Sequence, residues 1–386
     1  MGLSPFGRGL TIPPAPRSHL KEVAMRSIPR PTHTALRLRL RMLPPKADLA
    51  KTLAPYAPVG FSAAVARKGE APLFLHGGEA VIGGAAVEKE TIFRVASISK
   101  VFGAAAALRL VKAGKLSLDD DIADALGFSA GKPITLRQLL THTAGLVDAL
   151  VYDDVIFTPE AMPLDVLLPQ SFAAYAPGTR FLYSNLGAGV VGMLIESVTG
   201  MLFDDFIREE FFTPLDIDAS FHPQRIMRKE RMANCYNVPG KHLAYDAYQI
   251  AASPLDETPN SRIHYNIPAG KLMISAPDLL RIFQALPETD PDLFAMQAHI
   301  GSVGCDSGRG LGIAYAGEGV FQRGHEFFGH QGTAYGALCE AWIDAKDGTT
   351  AVLLTNGCRL NPLGPLYRAG QSGIAALLDQ LGEKQV

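Results

Sequence analysis

Ile92-Phe93-Arg94-Val95-Ala96-Ser97-Ile98-Ser99-Lys100 is the stretch on which the fold turns. Residues Thr91 to Ala96 read as an extended run, and from about Ser97 to Ala113 the pattern is a long apolar helix closed by Gly114. Ser97 falls at the helix N-terminus, where free N–H groups and the dipole favour negative charge. Lys100 lies three residues on and faces the same side. Ser-x-x-Lys recurs at Ser18 to Lys21 and Ser129 to Lys132, but only Ser97 stands where a strand meets an apolar helix. A lysine buried there is expected to have a depressed pKa, and its neutral amine can take the serine proton. The plainer alternative is a serine N-cap followed by a snorkelling lysine.

Two further motifs bear on that choice. Tyr183-Ser184-Asn185 is the chain's only Tyr-x-Asn, between a Pro177-Gly178 turn and an apolar run from Leu186. In an extended segment Tyr183 and Asn185 point the same way and can reach one cavity. The phenol can carry a proton, and the amide can meet both a substrate carbonyl and Lys100. His330-Gln331-Gly332 lies beside an expected strand, Gly336 to Ile343, unlike the His-x-Gly copies at His76 and His299. A glycine there lets a substrate backbone approach. The N–H of Thr333 can then join that of Ser97 as an oxyanion hole. Two other matches fail on context. Gly187 to Gly192 fits Gly-x-Gly-x-x-Gly without a preceding strand, so its glycines read as helix-packing positions; Gly127 to Gly131 fits Gly-x-Ser-x-Gly but follows a helix.

Strand patterns sit near both chain ends: Phe61 to Arg67 with Pro72 to His76, then Leu311 to Tyr315, Gly336 to Ile343 and Thr350 to Thr355, with Asp347-Gly348 as a hairpin turn. Helical patterns fill the middle: Leu118 to Leu126, Leu136 to Thr141, Leu186 to Val198, Phe203 to Phe212 and Ala276 to Leu286; Ser372 to Leu381 closes the chain. Asn234 to Pro268 reads as a long irregular loop.

The chain has 386 residues, 47% hydrophobic and 19% charged, with a net charge of −2. That is a globular composition and excludes a strongly basic nucleic-acid binder. No run of about 18 apolar residues marks a membrane span. Four scattered cysteines support neither a disulfide framework nor a thiolate zinc site, and no metal or cofactor is implied. Residues 1–45 hold eight basic residues against one acid, +7; the rest carries 28 basic and 37 acidic residues, −9. This Pro- and Arg-rich opening lacks the apolar core of a secretory signal and reads as a disordered extension, which makes a cytoplasmic location the expectation.

Together, Ser-x-x-Lys, Tyr-x-Asn and His-x-Gly in this order resemble the serine β-lactamase and penicillin-binding protein superfamily. Phe93 to Lys100 resembles the nucleophile region of its class C β-lactamase-related members; so do Leu136 to Leu146 (LRQLLTHTAGL), Pro177 to Asn185 (PGTRFLYSN), Ala269-Gly270 with Ala276 to Leu286, and Phe328 to Gly332 (FGHQG). The resemblance runs from about Phe61 to Gly357. It implies an α/β (α+β) fold: an antiparallel sheet flanked by helices, with an all-helical sub-domain. The sheet would come from about 46–96 and 305–386, and the helical region from about 97–304. It also implies that Ser97 is acylated, that Lys100 and Tyr183 share the acid–base work, and that Asn185, His330, Gly332 and Thr333 bind substrate. His330 stands where many relatives carry the lysine of Lys-Thr-Gly, and Gln331 where a hydroxyl usually meets a substrate carboxylate. The implied substrate is a small ester, amide or D-amino-acid peptide. A DD-carboxypeptidase or D-aminopeptidase, a weak β-lactamase, and a penicillin-binding sensor without turnover are the alternatives. Nothing in the sequence sets the oligomeric state.

Overall fold

In the computed structural model, which describes residues 48–148, 163–238, 240–255, 266–297, 306–363 and 366–382, segments near both chain ends build one sheet. Its strands are β1 (Gly60–Ala66), β2 (Leu73–Gly78), β7 (Asp306–Arg309), β8 (Ala314–Ala316), β9 (Phe327–Ala334), β10 (Ala337–Asp344) and β11 (Thr350–Thr355). They lie in the order β2-β1-β11-β10-β9-β8-β7, every neighbouring pair antiparallel. The expected extension, residues 1–45, lies outside the described residues, as does Cys305.

The sheet is covered on both faces, which is why β10 and β11 are buried at every position. Val352, Leu354, Ala341 and Ile343 join a core with Leu279 and Phe283 of α5 (Ala276–Thr289). The alternate residues Ala351, Leu353 and Trp342 pack with Leu49 and Leu53 of α1 (Leu49–Leu53), and with Ile374 and Leu377 of α6 (Arg368–Leu381). The period of two sorts neighbouring side chains into two cores.

The first core continues into the helical middle of the chain. There α2 (Ser99–Lys112), α3 (Leu136–Leu140) and α4 (Asn185–Thr199) pack together. The glycines of α4 permit close approach: a Cβ on Gly192 would sit 2.2 Å from Pro268 Cγ. This middle is not wholly helical, since β3 (Ile92–Arg94) pairs with β6 (Met273–Ser275), and β4 (Cys235–Asn237) with β5 (His242–Tyr245).

Several expectations change in detail. The described parts of Asn234–Pro268 hold the β4–β5 hairpin, a helix Ala247–Ala251 capped by Asp246, and the start of a helix Ile267–Gly270. Elements of three to five residues are too short to show a period. The expected strand Leu311 to Tyr315 is a turn that leads into β8. The helix expected over Phe203 to Phe212 changes from α to π at Arg208. Ser129 is exposed, its Oγ accepting from Gly131 N–H, and no strand precedes it.

Candidate active site

The chain leaves β3 and makes a 3-10 turn, Ala96–Ile98, before α2 begins at Ser99. Ser97 is therefore in the turn, not the first residue of the α-helix. Ala96 takes a left-handed conformation, φ 48°, which costs an alanine about 1–2 kcal/mol. The neighbouring bond from Val95 N–H to Leu272 O, 2.9 Å, helps hold this elbow.

Lys100 is 6% exposed, and its surroundings include the apolar side chains of Ala104, Leu139, Leu140 and Val191. Its Nζ donates to Ser97 Oγ at 3.0 Å, Asn185 Oδ1 at 2.7 Å and Ala269 O at 2.6 Å. Burial pulls its pKa down to about 7; Asp148 works against that shift and Arg309 adds to it. The amine is thus split between charged and neutral forms near neutral pH, in contact with the serine oxygen. It does not snorkel to solvent.

Tyr183 and Asn185 meet the same lysine. Lys100 Nζ lies 5.0 Å from the Tyr183 ring centroid. Ser184, not Asn185, caps α4, its Oγ accepting from Gly187 N–H at 3.0 Å. The Asn185 amide is left for the site. The Tyr183 ring also lies tilted against His142, centroids 4.4 Å apart, with His330 at 6.4 Å.

His330-Gln331-Gly332 lies within β9, which Tyr335-Gly336 turns into β10. Two consecutive positive φ angles, 53° and 81°, make this the tight hairpin turn whose twist matches the strands. β8 pairs with β9 only as far as Gly329, so among the described strands the edge from His330 onward is paired on the β10 side alone. That edge runs against the serine elbow. A Cβ on Gly332 would stand 2.1 Å from Val95 O and 3.1 Å from Ser97 N. Gly332→Ala is expected to push β9 off the elbow, costing about 1–3 kcal/mol of stability and lowering kcat by about 10²-fold. Thermal melts and steady-state kinetics check both; native kcat would remove this contact from the catalytic geometry.

The histidines hold opposite tautomers. His330 Nδ1 sits 2.6 Å from Gln331 O, an atom that only accepts, so Nδ1 carries the proton and Nε2 presents a lone pair. That Nε2 is buried with no hydrogen-bond partner among the described residues. His142 Nδ1 accepts from Ser184 N–H at 3.3 Å, which places its proton on Nε2. Burial, with Arg309 and Lys100 nearby, lowers His330 to about 3 and His142 well below the usual imidazole range, so both are neutral at pH 7. Gln331 points to the other face of the sheet, where its Nε2 donates to buried Glu340 at 2.5 Å.

Three groups at the site carry no local signal. His142 (φ 55°) lies in the LTHTAGL stretch read above only as a resemblance. Arg309, 4% exposed, ends β7 and places its guanidinium 4.9 Å from the Phe181 ring and 5.8 Å from Tyr183. Asp148 accepts from Ser184, Asn185 and Leu186. Apart from this site, His325, Asp344 and Asp347 each bring a ligand atom within 4.8 Å of one another.

A sheet flanked by helices, with a Ser-Lys pair, a tyrosine and an open strand edge at one place, defines a serine acyl-transfer site of the β-lactamase/transpeptidase type. The Beta-lactamase family model matches residues 48–368, and the chain belongs to that family as a serine hydrolase. It is 28% identical over 306 residues to penicillin-binding protein 4 of Amycolatopsis lactamdurans, covering 71% of this chain and 74% of the relative. Against penicillin-binding protein 4* of Bacillus subtilis it is 26% identical over 212 residues, 53% of this chain, and the match spans only 47% of that relative's length. Structures of like fold include D-amino acid amidase from Ochrobactrum anthropi SV3 complexed with D-phenylalanine: 20% identical, TM-score 0.69, covering 86% of this chain and 97% of that one. A penicillin-binding protein from Bacillus halodurans is 20% identical with TM-score 0.67, covering 87% and 100%. No single helix among the described residues is long and apolar enough to cross a membrane.

Proposed function

We propose that the chain cleaves small esters and amides through an acyl group on Ser97, with amides of D-amino acids and short D-peptides as the first substrates to consider. The observation that carries this is the 3.0 Å contact between Ser97 Oγ and a lysine amine poised near pH 7. Neutral Lys100 takes the Ser97 proton as Oγ bonds to the substrate carbonyl carbon. The carbonyl oxygen gains negative charge and is received by the N–H groups of Ser97 and Thr333. Tyr183, against the lysine, passes a proton to the leaving alcohol or amine as its bond to carbon breaks, and takes the Lys100 proton in return, so that the phenol and the neutral amine are both restored. Water then adds to the ester carbonyl, its proton going to Lys100, and the acid leaves as the bond to Ser97 Oγ breaks and Oγ regains a proton from the Lys100–Tyr183 pair. Asn185 orients the substrate, and the lone pair of His330 Nε2 receives an N–H or O–H group of it.

Two features leave the His330-Gln331-Gly332 strand itself without a group that meets a substrate carboxylate, and Arg309 is the cation that remains nearby. His330, neutral at pH 7, supplies no cation where Lys-Thr-Gly relatives have one, and Gln331 is turned to Glu340. On this reading β-lactams rank behind simple amides and esters. The likeness to a D-amino acid amidase supports the D-amide class.

Purified protein offered a p-nitrophenyl ester, D- and L-phenylalanine amide, D-alanyl peptides and a chromogenic cephalosporin is the test. Turnover of the ester and of the D-amide above the L-amide, with the cephalosporin slowest, is expected. A long-lived adduct with the cephalosporin and no hydrolysis of anything would instead make the chain a sensor. No turnover and no acyl adduct would overturn the reading.

A further inference from the structure

Asp148 belongs to none of the three motifs, yet its carboxylate gathers four donors at the site. Oδ1 accepts from Ser184 Oγ at 2.7 Å and Leu186 N–H at 3.1 Å; Oδ2 accepts from Asn185 N–H at 2.8 Å and Asn185 Nδ2 at 3.0 Å. The bond to Nδ2 decides which way the Asn185 amide faces. A carboxylate only accepts, so the NH2 end must turn to Asp148, and the carbonyl end turns to Lys100, 2.7 Å from Nζ. A flipped amide would set oxygen against carboxylate and NH2 against the lysine donor. One line of hydrogen bonds thus joins Asp148, Asn185, Lys100 and Ser97.

We propose that Asp148 is the positioning residue of this site, holding the Asn185 amide in the single orientation that keeps the Lys100 amine on Ser97. The assignment rests on the reading of Lys100 as the base. It goes beyond helix capping, which Ser184 already performs for α4 through Gly187 N–H. Lys100 is faced by Ser97 from the elbow, Asn185 and the Tyr183 ring from the start of α4, Ala269 O, Arg309 from β7, and neutral His142 and His330. Among the groups that shift its proton affinity, Asp148 is the one that supports the charged amine, and Arg309 opposes it.

The test is Asp148→Asn, with Asp48→Ala as the structural control, since Asp48 caps α1 through Ala50 and Lys51 N–H and touches none of the site groups; each is followed by a thermal melt and a kcat and KM pH profile on the p-nitrophenyl ester. Asp148→Asn should lower kcat by about 10²-fold with KM nearly unchanged. Without the carboxylate the amine sheds its proton more readily, so the acidic limb of kcat/KM should move to lower pH. Asp48→Ala should lower only the melting temperature. Native kcat and an unmoved limb in a folded Asp148→Asn would overturn the proposal, as would an equal kcat loss in Asp48→Ala. Should Asp148→Asn not fold, Asp148→Glu keeps the charge and displaces it: a fall in kcat of at least about 10-fold with the limb in place is expected, and full kcat would overturn the proposal. Acyl-enzyme mass on Ser97 of the native chain separates the two levels: its absence sinks the parent reading, and its presence with an indifferent Asp148 sinks only this one.

Discussion

Ser97→Ala is expected to remove turnover of every substrate the native chain hydrolyses, by roughly 10⁶-fold in kcat, the scale of loss when a serine hydrolase gives up its nucleophile. The change deletes one oxygen. Alanine keeps the Cβ, so the 3-10 turn and the packing of α2 should persist and the melting temperature should stay close to native. What disappears is the hydroxyl that Lys100 holds at 3.0 Å, and with it the acyl adduct seen by intact mass. Activity equal to native would move the nucleophile elsewhere. Ser129, the other serine in a nucleophile-like motif, is a weak substitute: it is exposed, and the hydrogen bond its Oγ makes is to Gly131 N–H.

The second large effect concerns Lys100. With its pKa brought to about 7 by burial, the fraction of neutral amine falls as pH drops through 7. The acidic limb of kcat/KM should therefore have an apparent pKa near 7. A lysine at its usual 10.5 would put that limb far into the alkaline range. Lys100→Met fills much of the same volume without a base and should lower acylation by roughly 10²–10⁴-fold. It should also erase the limb at 7. A profile that keeps this limb in Lys100→Met would assign it to another group, and a native rate that climbs steadily to pH 10 would show that the lysine is not desolvated in solution.

Much of this site is legible along the chain because its parts are local. Ser97 and Lys100 lie three residues apart at one helix entry, Tyr183 and Asn185 two apart where the chain enters α4, and Gly332 and Thr333 on one strand. Residue spacing settles direction within an element, and a lysine at the apolar start of a helix announces a desolvated amine. The fold class follows from the same source: strand patterns near both chain ends with helices between them, sharpened by five segments resembling one superfamily in order.

The remaining parts depend on contacts between elements far apart in sequence. Arg309 has no local mark, yet the close of β7 lays it beside Tyr183, 126 positions earlier by their numbering. Asp148 becomes significant only because the chain returns to Asn185 and presents an amide to it. Gln331 reads as a substrate-facing residue until its cross-strand pairing with Glu340 assigns it to the opposite face. Local sequence determined which groups can act as nucleophile, base and proton carrier, since those capacities reside in the side chains and their helical or extended spacing. Tertiary structure alone decided their strength and orientation, because desolvation, amide direction and the exposure of a strand edge arise only when separate segments pack against one another.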